Sequence, residues 1–308
     1  MPSSPSILRK PIVIGVAHAA GILLLLAIST AQQSSISAYR DPADLVRKAV
    51  QNEIVAANNS SHFEFRGTKT TSRGSTTKLY LETKDATAGL TVAYNGVPLT
   101  PEQRRDEESR IDRFVTDPEE LQKKREQERE NNERTLRITR ALPEAFIYEY
   151  AGDEPGSAGI GRVGTTLIKL TFHPNPRYQP PSRVEEILTG MEGFLLIDTQ
   201  RNRLAAIDGT LFKEVGFGWG ILGHLDKGGR FVVHQQEVGD NSWEFTSLTL
   251  HFTGKIMLFK SLVVESTEVF DSFKQVPSNL TFAQALDLLK KDSMTVAVNS
   301  TAEKTAIR

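Results

Sequence analysis

The chain has 308 residues, with 37 basic and 38 acidic side chains, a formal charge of −1 and no cysteine. A near-neutral balance without a basic cluster argues against a nucleic-acid surface. The lack of cysteine excludes disulfides, thiol nucleophiles, thiolate zinc sites and iron–sulfur clusters.

Residues 1–31 have the layout of a secretory signal peptide. Arg9 and Lys10 form a short basic region, Pro11 through Ile28 is an apolar run, and Ser29-Thr30-Ala31 is a small-x-small cleavage pattern. Cleavage after Ala31 and delivery to a periplasm is the expectation. The alternative is an inner-membrane anchor formed by 11–28, since the run reaches the ~18 residues that can span a bilayer. Export of a cysteine-free chain fits a bacterial periplasm better than a eukaryotic secretory route. The remaining roughly 280 residues suffice for one large β domain or two smaller ones.

Residues 32–40 read as a flexible linker. Asp41-Pro42 starts a helix, and Leu45, Val46, Ala49, Val50, Ile54 and Val55 give it one apolar stripe to about Ala57. Period-2 alternation then marks strands at Phe63–Phe65, Leu79–Leu81 and Leu90–Tyr94, with turns at Ser72-Arg73-Gly74-Ser75 and Asn95-Gly96.

Residues 100–140 break that pattern with dense charge of both signs. Pro101 opens one helix, and Asp117-Pro118-Glu119-Glu120 opens a second. Few apolar positions suggest a solvated helical hairpin inserted between strands. A lid or a partner-docking arm is the other reading.

Strands resume at Phe146–Tyr150 and Thr165–Phe172, followed by a proline-rich loop. Ser182 and Glu185 form an S-x-x-E capping box for a short helix. Further strands are expected at Phe194–Asp198, Leu204–Phe217, Arg230–Val238, Trp243–Phe252 and Ile256–Phe270. The apolar parity changes within Trp243–Phe252, which predicts a β-bulge near Thr246-Ser247. Residues 281–291 read as a last helix, and the tail from Asp292 as disordered.

Two G-x-G-x-x-G matches do not read as nucleotide loops. Gly159–Gly164 runs into a strand rather than a helix, and Gly218–Gly223 is cut short by Asp226-Lys227-Gly228-Gly229. The segment Val215–Gly229 sets Phe217, Trp219, Ile221 and Leu222 among glycines. It reads either as a buried hairpin or Ω-loop packed on the sheet, or as a flexible rim over an apolar ligand cavity. His62, His173, His224, His234 and His251 share no metal-ligand spacing, no G-x-S-x-G elbow occurs, and Asp198 and Asp208 read as turn and strand-end acids. No metal site, cofactor or enzymatic activity is expected.

An opening amphipathic helix, a curved antiparallel sheet, an inserted helical element and export together resemble the LolA/LolB-like family of periplasmic proteins. That family includes lipoprotein carriers and RseB-like sensor domains. Asn95-Gly96-Val97-Pro98-Leu99-Thr100-Pro101-Glu102, Tyr178-Gln179-Pro180-Pro181-Ser182-Arg183 and Phe217-Gly218-Trp219-Gly220-Ile221-Leu222-Gly223 resemble segments of exported acidobacterial proteins described as outer-membrane lipoprotein-sorting-like. The resemblance covers roughly 41–275 and implies an unclosed half-barrel with helices over an apolar cavity. The charged hairpin and the longer chain depart from the carriers, and no carrier site residue aligns here.

The expected fold is therefore α+β and mainly antiparallel β. It is a curved unclosed half-barrel over 41–275, with lid helices and the charged insertion at 100–140, followed by a C-terminal helix and tail over 276–308. The expected function is periplasmic binding of an apolar ligand, a lipid or lipoprotein acyl chain, rimmed by Phe217, Trp219, Ile221 and Leu222. The alternative is a sensor or interaction module with a filled core, contacting a periplasmic or membrane protein through 100–140. Nucleic acid is not an expected partner.

Overall fold

Thirteen strands, every neighbouring pair antiparallel, form one sheet in the computed structural model of the chain, which describes residues 41–58, 62–217, 223–239, 241–256 and 260–293. The strands are β1 (His62–Thr71), β2 (Gly74–Glu82), β3 (Thr87–Tyr94), β4 (Val97–Pro98), β5 (Phe146–Pro155), β6 (Thr166–Pro174), β7 (Met191–Asp198), β8 (Arg203–Leu211), β9 (Val215–Phe217), β10 (Gly223–Leu225), β11 (Arg230–Gly239), β12 (Ser242–Ile256) and β13 (Lys260–Val276). Their order across the sheet is β4-β3-β2-β1-β13-β12-β11-β8-β7-β6-β5, with β10 paired to β12 and β9 to β10. The outermost strands β4 and β5 do not pair with each other, so the sheet is a curved, unclosed half-barrel. Register shifts curl it, among them the one opposite His234/Gln235 that leaves Thr246 as the extra residue beside Ser247. That is the bulge the parity change predicts.

Helices pack on this sheet: α1 (Pro42–Asn58), α2 (Pro101–Thr116), α3 (Pro118–Ala145), the short α4 (Arg183–Glu186) and α5 over 282–293. The N-terminal signals in the sequence are used as expected. Thr100 and Gln103 form a reciprocal capping box at α2, and Asp117 accepts from Glu119 N–H at the start of α3 (2.9 Å). At α4, Ser182 makes no such cap; its hydroxyl donates to the Glu185 carboxylate instead.

The insertion is not simply solvated. Ile111 of α2 is fully buried in a cluster with Leu79, Leu81 and Leu90 of the sheet and Phe282, Leu286 and Leu289 of α5. Glu107 is also buried here. It accepts from Thr91 N–H at 2.6 Å and from Arg110 Nε at 2.6 Å. Burial pushes its carboxyl up, but Arg110 and the Thr91 N–H outweigh that and bring it down to about 2. The sparse apolar side chains of α2 are thus concentrated on one contact. Likewise α5 belongs to the folded unit, against the expectation of a domain ending at 275. Its Phe282, Ala285, Leu286 and Leu289 follow helical spacing and are all buried, and the helix continues to Ser293 rather than ending at 291.

α1 buries Leu45, Val46, Ala49 and Val50 and is latched at its C-terminal half. Asn52 Nδ2 donates to the carbonyls of Arg201 and Asn202 (3.2 Å each). The Glu53 carboxylate takes a fork from Arg203 (2.8 and 2.9 Å) and the Leu204 N–H (3.0 Å). Both ion-pair side chains are nearly buried, so removing one leaves an uncompensated charge. Glu53→Ala is expected to cost about 3–5 kcal/mol and to raise amide exchange across α1 selectively. Uniform exchange at the wild-type rate would contradict the latch.

Candidate functional site

Two adjacent strands break at one level. The run expected as a single strand, Leu204–Phe217, stops at Leu211 because Phe212 N–H turns to the carbonyl of Gly190 (3.0 Å), and it restarts as β9. Opposite, 226–229 separates β10 from β11, and Gly228 N–H donates to Leu211 O (2.8 Å). β9 and β10 therefore form a short antiparallel extension, Val215 pairing with Leu225 and Phe217 with Gly223. Of the expected rim residues, Phe217 is half-buried on β9 and does not line the clefts described next. Trp219, Ile221 and Leu222 lie outside the described residues, as does residue 1–31 and its expected cleavage site.

The larger cleft lies elsewhere, between the 156–164 loop and strands β11–β13, with a volume of about 530 Å³. Its apolar lining is Ile160, Val238, Val269, Phe270 and Phe273; its polar lining includes His234, Gln236, Ser247 and Asp271. The loop wall is the first G-x-G-x-x-G match. Gly159, Gly161 and Gly164 all have positive φ, so these are turn glycines, as read. The turn conformation at Gly161 (φ 68°) lets its N–H reach Gln235 O at 2.7 Å. Gly159 N–H donates to Gln236 Oε1 (2.7 Å) and its carbonyl accepts from the Thr246 hydroxyl. The wall is thus pinned to β11 and to the β12 bulge.

The position of Phe270 depends on another glycine. A Cβ at Gly67 would lie 2.8 Å from the Tyr80 ring and 3.0 Å from Phe270. Its absence lets both rings close over β1 beside Phe65, which stacks on Tyr80 (5.2 Å) and Phe273 (5.4 Å).

Within the cleft Ser247 Oγ and His234 Nδ1 are 2.9 Å apart. Burial pushes the imidazole below its ordinary value, and Asp208 opposes this. The neutral ring can exchange hydrogen bonds with Ser247 and with a ligand. Asp208, the acid that acts on it electrostatically, is itself held in a fork by Arg230 (3.0 and 2.6 Å). Such a pair suits recognition of a hydrogen-bonding group better than activation of a serine. The cleft carboxylates are already matched: Asp271 by Arg66 (2.9 Å), Glu237 by Arg201 (3.5 Å).

Asp198, at the β7–β8 turn, is fully buried. It accepts from Arg162 (2.7 and 2.9 Å) and from the N–H groups of Gln200 and Arg201 (3.0 Å each). This is the structural role expected of a turn acid. A second cleft of about 450 Å³ is lined by His173, Tyr178, Thr189, Glu192, Phe212 and Lys213, among others. Among the described residues, one group has donors spaced to hold a metal ion: Glu214, His224 and Asp226. Sequence spacing did not mark it, because Glu214 and His224 meet only through the β9–β10 pairing. Nor did it mark the 530 Å³ cleft, whose walls come from four separate stretches of chain.

No protein-family model matches the sequence, and no curated protein matches it. Among the described residues, no helix is long and apolar enough to cross a membrane.

Proposed function

We propose that this is a periplasmic binding protein rather than an enzyme, and that it takes an amphiphile, a lipid or the acyl chain of a lipoprotein, in the cleft between the 156–164 loop and β11–β13. The observation that carries this reading is that the cleft is lined both by apolar side chains (Ile160, Val269, Phe270, Phe273) and by hydrogen-bonding ones (His234, Gln236, Ser247). A volume of about 530 Å³ falls within the range of small-molecule pockets. Each methylene buried against the apolar lining contributes up to about 0.8 kcal/mol. The resemblance to the LolA/LolB-like family supports the same ligand class, although the site proposed differs from the Phe217–Leu222 rim.

A second reading has its own observation. The space beneath the helices, where a carrier's cavity would lie, is occupied by Val46, Ala49, Ile111, Leu286 and Leu289, all at most 1% exposed. A core filled in this way favours a sensor or interaction module.

One titration separates the two. The purified chain is expected to bind a fluorescent fatty acid saturably. Val269 is 45% exposed, so Val269→Glu costs little stability while placing a charge in the cleft lining. The variant is expected to weaken binding by at least about tenfold, or 1.4 kcal/mol, with an unchanged melting temperature. No saturable binding by the wild type would discard the amphiphile reading and leave the interaction module. Equal binding by the variant would move the ligand away from this cleft.

A further inference from the structure

The break in the sheet at 212–214 and 226–229 brings together three donors that the chain keeps apart. Glu214 immediately precedes β9, His224 is the middle residue of β10, and Asp226 immediately follows it. The register sets Gly216 opposite His224 and Val215 opposite Leu225. Continued by one residue, it sets Glu214 opposite Asp226. His224 Nε2 lies 3.3 Å from Asp226 Oδ1 and 3.9 Å from Glu214 Oε2, and all three donor atoms fall within 4.8 Å of one another. We propose that Glu214, His224 and Asp226 form a binding site for a divalent transition metal, with zinc as the ion the donors fit best.

The separations match the size of a coordination sphere. Ligand atoms about 2.0–2.2 Å from a tetrahedral ion lie roughly 3.3–3.5 Å apart, so the observed spacing needs only a small movement of Glu214. Glu214 is free to make it, since its side chain is 63% exposed. The donor chemistry is selective. An imidazole nitrogen between two carboxylate oxygens suits zinc-like ions, whereas calcium and magnesium prefer oxygen donors alone. The two carboxylates together balance the charge of a divalent ion.

A partner outside the donor set orients one ligand. The Thr253 hydroxyl donates to Asp226 Oδ2 (2.6 Å), and Asp226 N–H donates to Thr253 O (2.9 Å). The opposite oxygen, Oδ1, is thereby turned to His224. Outer groups of this kind fix a ligand's geometry in established metal sites. Three protein donors leave a fourth, solvent-facing position for water. The bound ion would join both arms of the β9–β10 hairpin where β8 and β11 are interrupted, so its effect is a staple on that hairpin.

Calorimetric titration of zinc chloride into the full chain, freed of any affinity tag, tests the site. One zinc per chain is expected, with no heat from calcium or magnesium. His224→Ala and Glu214→Gln should each weaken binding at least about tenfold. Thr253→Val removes no ligand but frees Asp226, and should weaken binding by about tenfold. Glu214 is exposed, so Glu214→Gln reports on the site even where His224→Ala perturbs folding. Absence of saturable zinc uptake would mean that the three groups form a histidine–carboxylate cluster only, and would overturn the proposal. Uptake unchanged in both Glu214→Gln and His224→Ala would place the zinc elsewhere and overturn it equally.

Discussion

Glu244→Gln is expected to leave stability almost unchanged near pH 4 and to raise it by about 5 kcal/mol at pH 9. The cause is burial, reinforced by a crowd of carboxyls around one guanidinium. Burial pushes Glu244 up to about 8, Glu82 adds to this, Arg203 opposes it and Glu53 adds further. Burial likewise raises Glu82 to about 7, against the hydrogen bond from Phe63 N–H and with help from Glu128. Both groups start from 4.5. Between about pH 4.5 and 8 the native state therefore holds more protons than the unfolded chain, and stability falls as pH rises. Above both native values the loss is complete and the curve levels.

Glutamine keeps the shape and cannot ionise, so the variant should lack most of this slope. Because Glu82 and Glu244 act on each other, the double variant should gain less than the two single gains combined. Denaturant unfolding of wild type and variant across this range measures the effect. Parallel stability curves would show that Glu244 is solvated in the native state.

Ile111→Ala is expected to destabilise by about 2–5 kcal/mol, in the same range as Leu286→Ala. Both side chains are at most 1% exposed and lie in one cluster with Leu81 and Leu90. Their effects should not add, because each truncation loosens the same contact. The wider expectation is that replacing 102–138 by a Gly/Ser linker abolishes cooperative unfolding of β1–β3. The linker removes Ile111 and the helix surface that covers Leu79, Leu81 and Leu90. A cooperative transition of near wild-type midpoint would restore the reading of the insertion as a solvated appendage. Salt should matter little to the Ile111 result. The ion pairs on the outer face of α3, such as Arg129–Glu133, are exposed and contribute little individually.

How far the sequence determines this protein can be judged element by element. Alternation at Leu79–Leu81 and Phe63–Phe65 specified strands because each side chain there has one apolar and one wet side, a local property of a pleated chain. The Thr100-Pro101 and Asp117-Pro118 starts were equally legible, since a cap satisfies N–H groups within three residues. So was the bulge at Thr246-Ser247, because an added residue reverses parity in the sequence itself. The unclosed antiparallel fold follows from those elements together.

Burial of an element that looks polar was not legible. α2 has few apolar residues, and only its placement over β2 and β3 decides that Ile111 and Glu107 go inside. Composition averages over a helix, whereas packing depends on one stripe. The end of the folded unit was misplaced for the same reason, since α5 is held by contacts with residues some two hundred positions earlier. Both candidate sites are also tertiary. The β11–β13 cleft needs the 156–164 loop to cross onto distant strands, and the Glu214–His224–Asp226 group needs a hairpin register. Donor identity is written in the sequence, but the distance between donors is set by strand pairing, which no local spacing records.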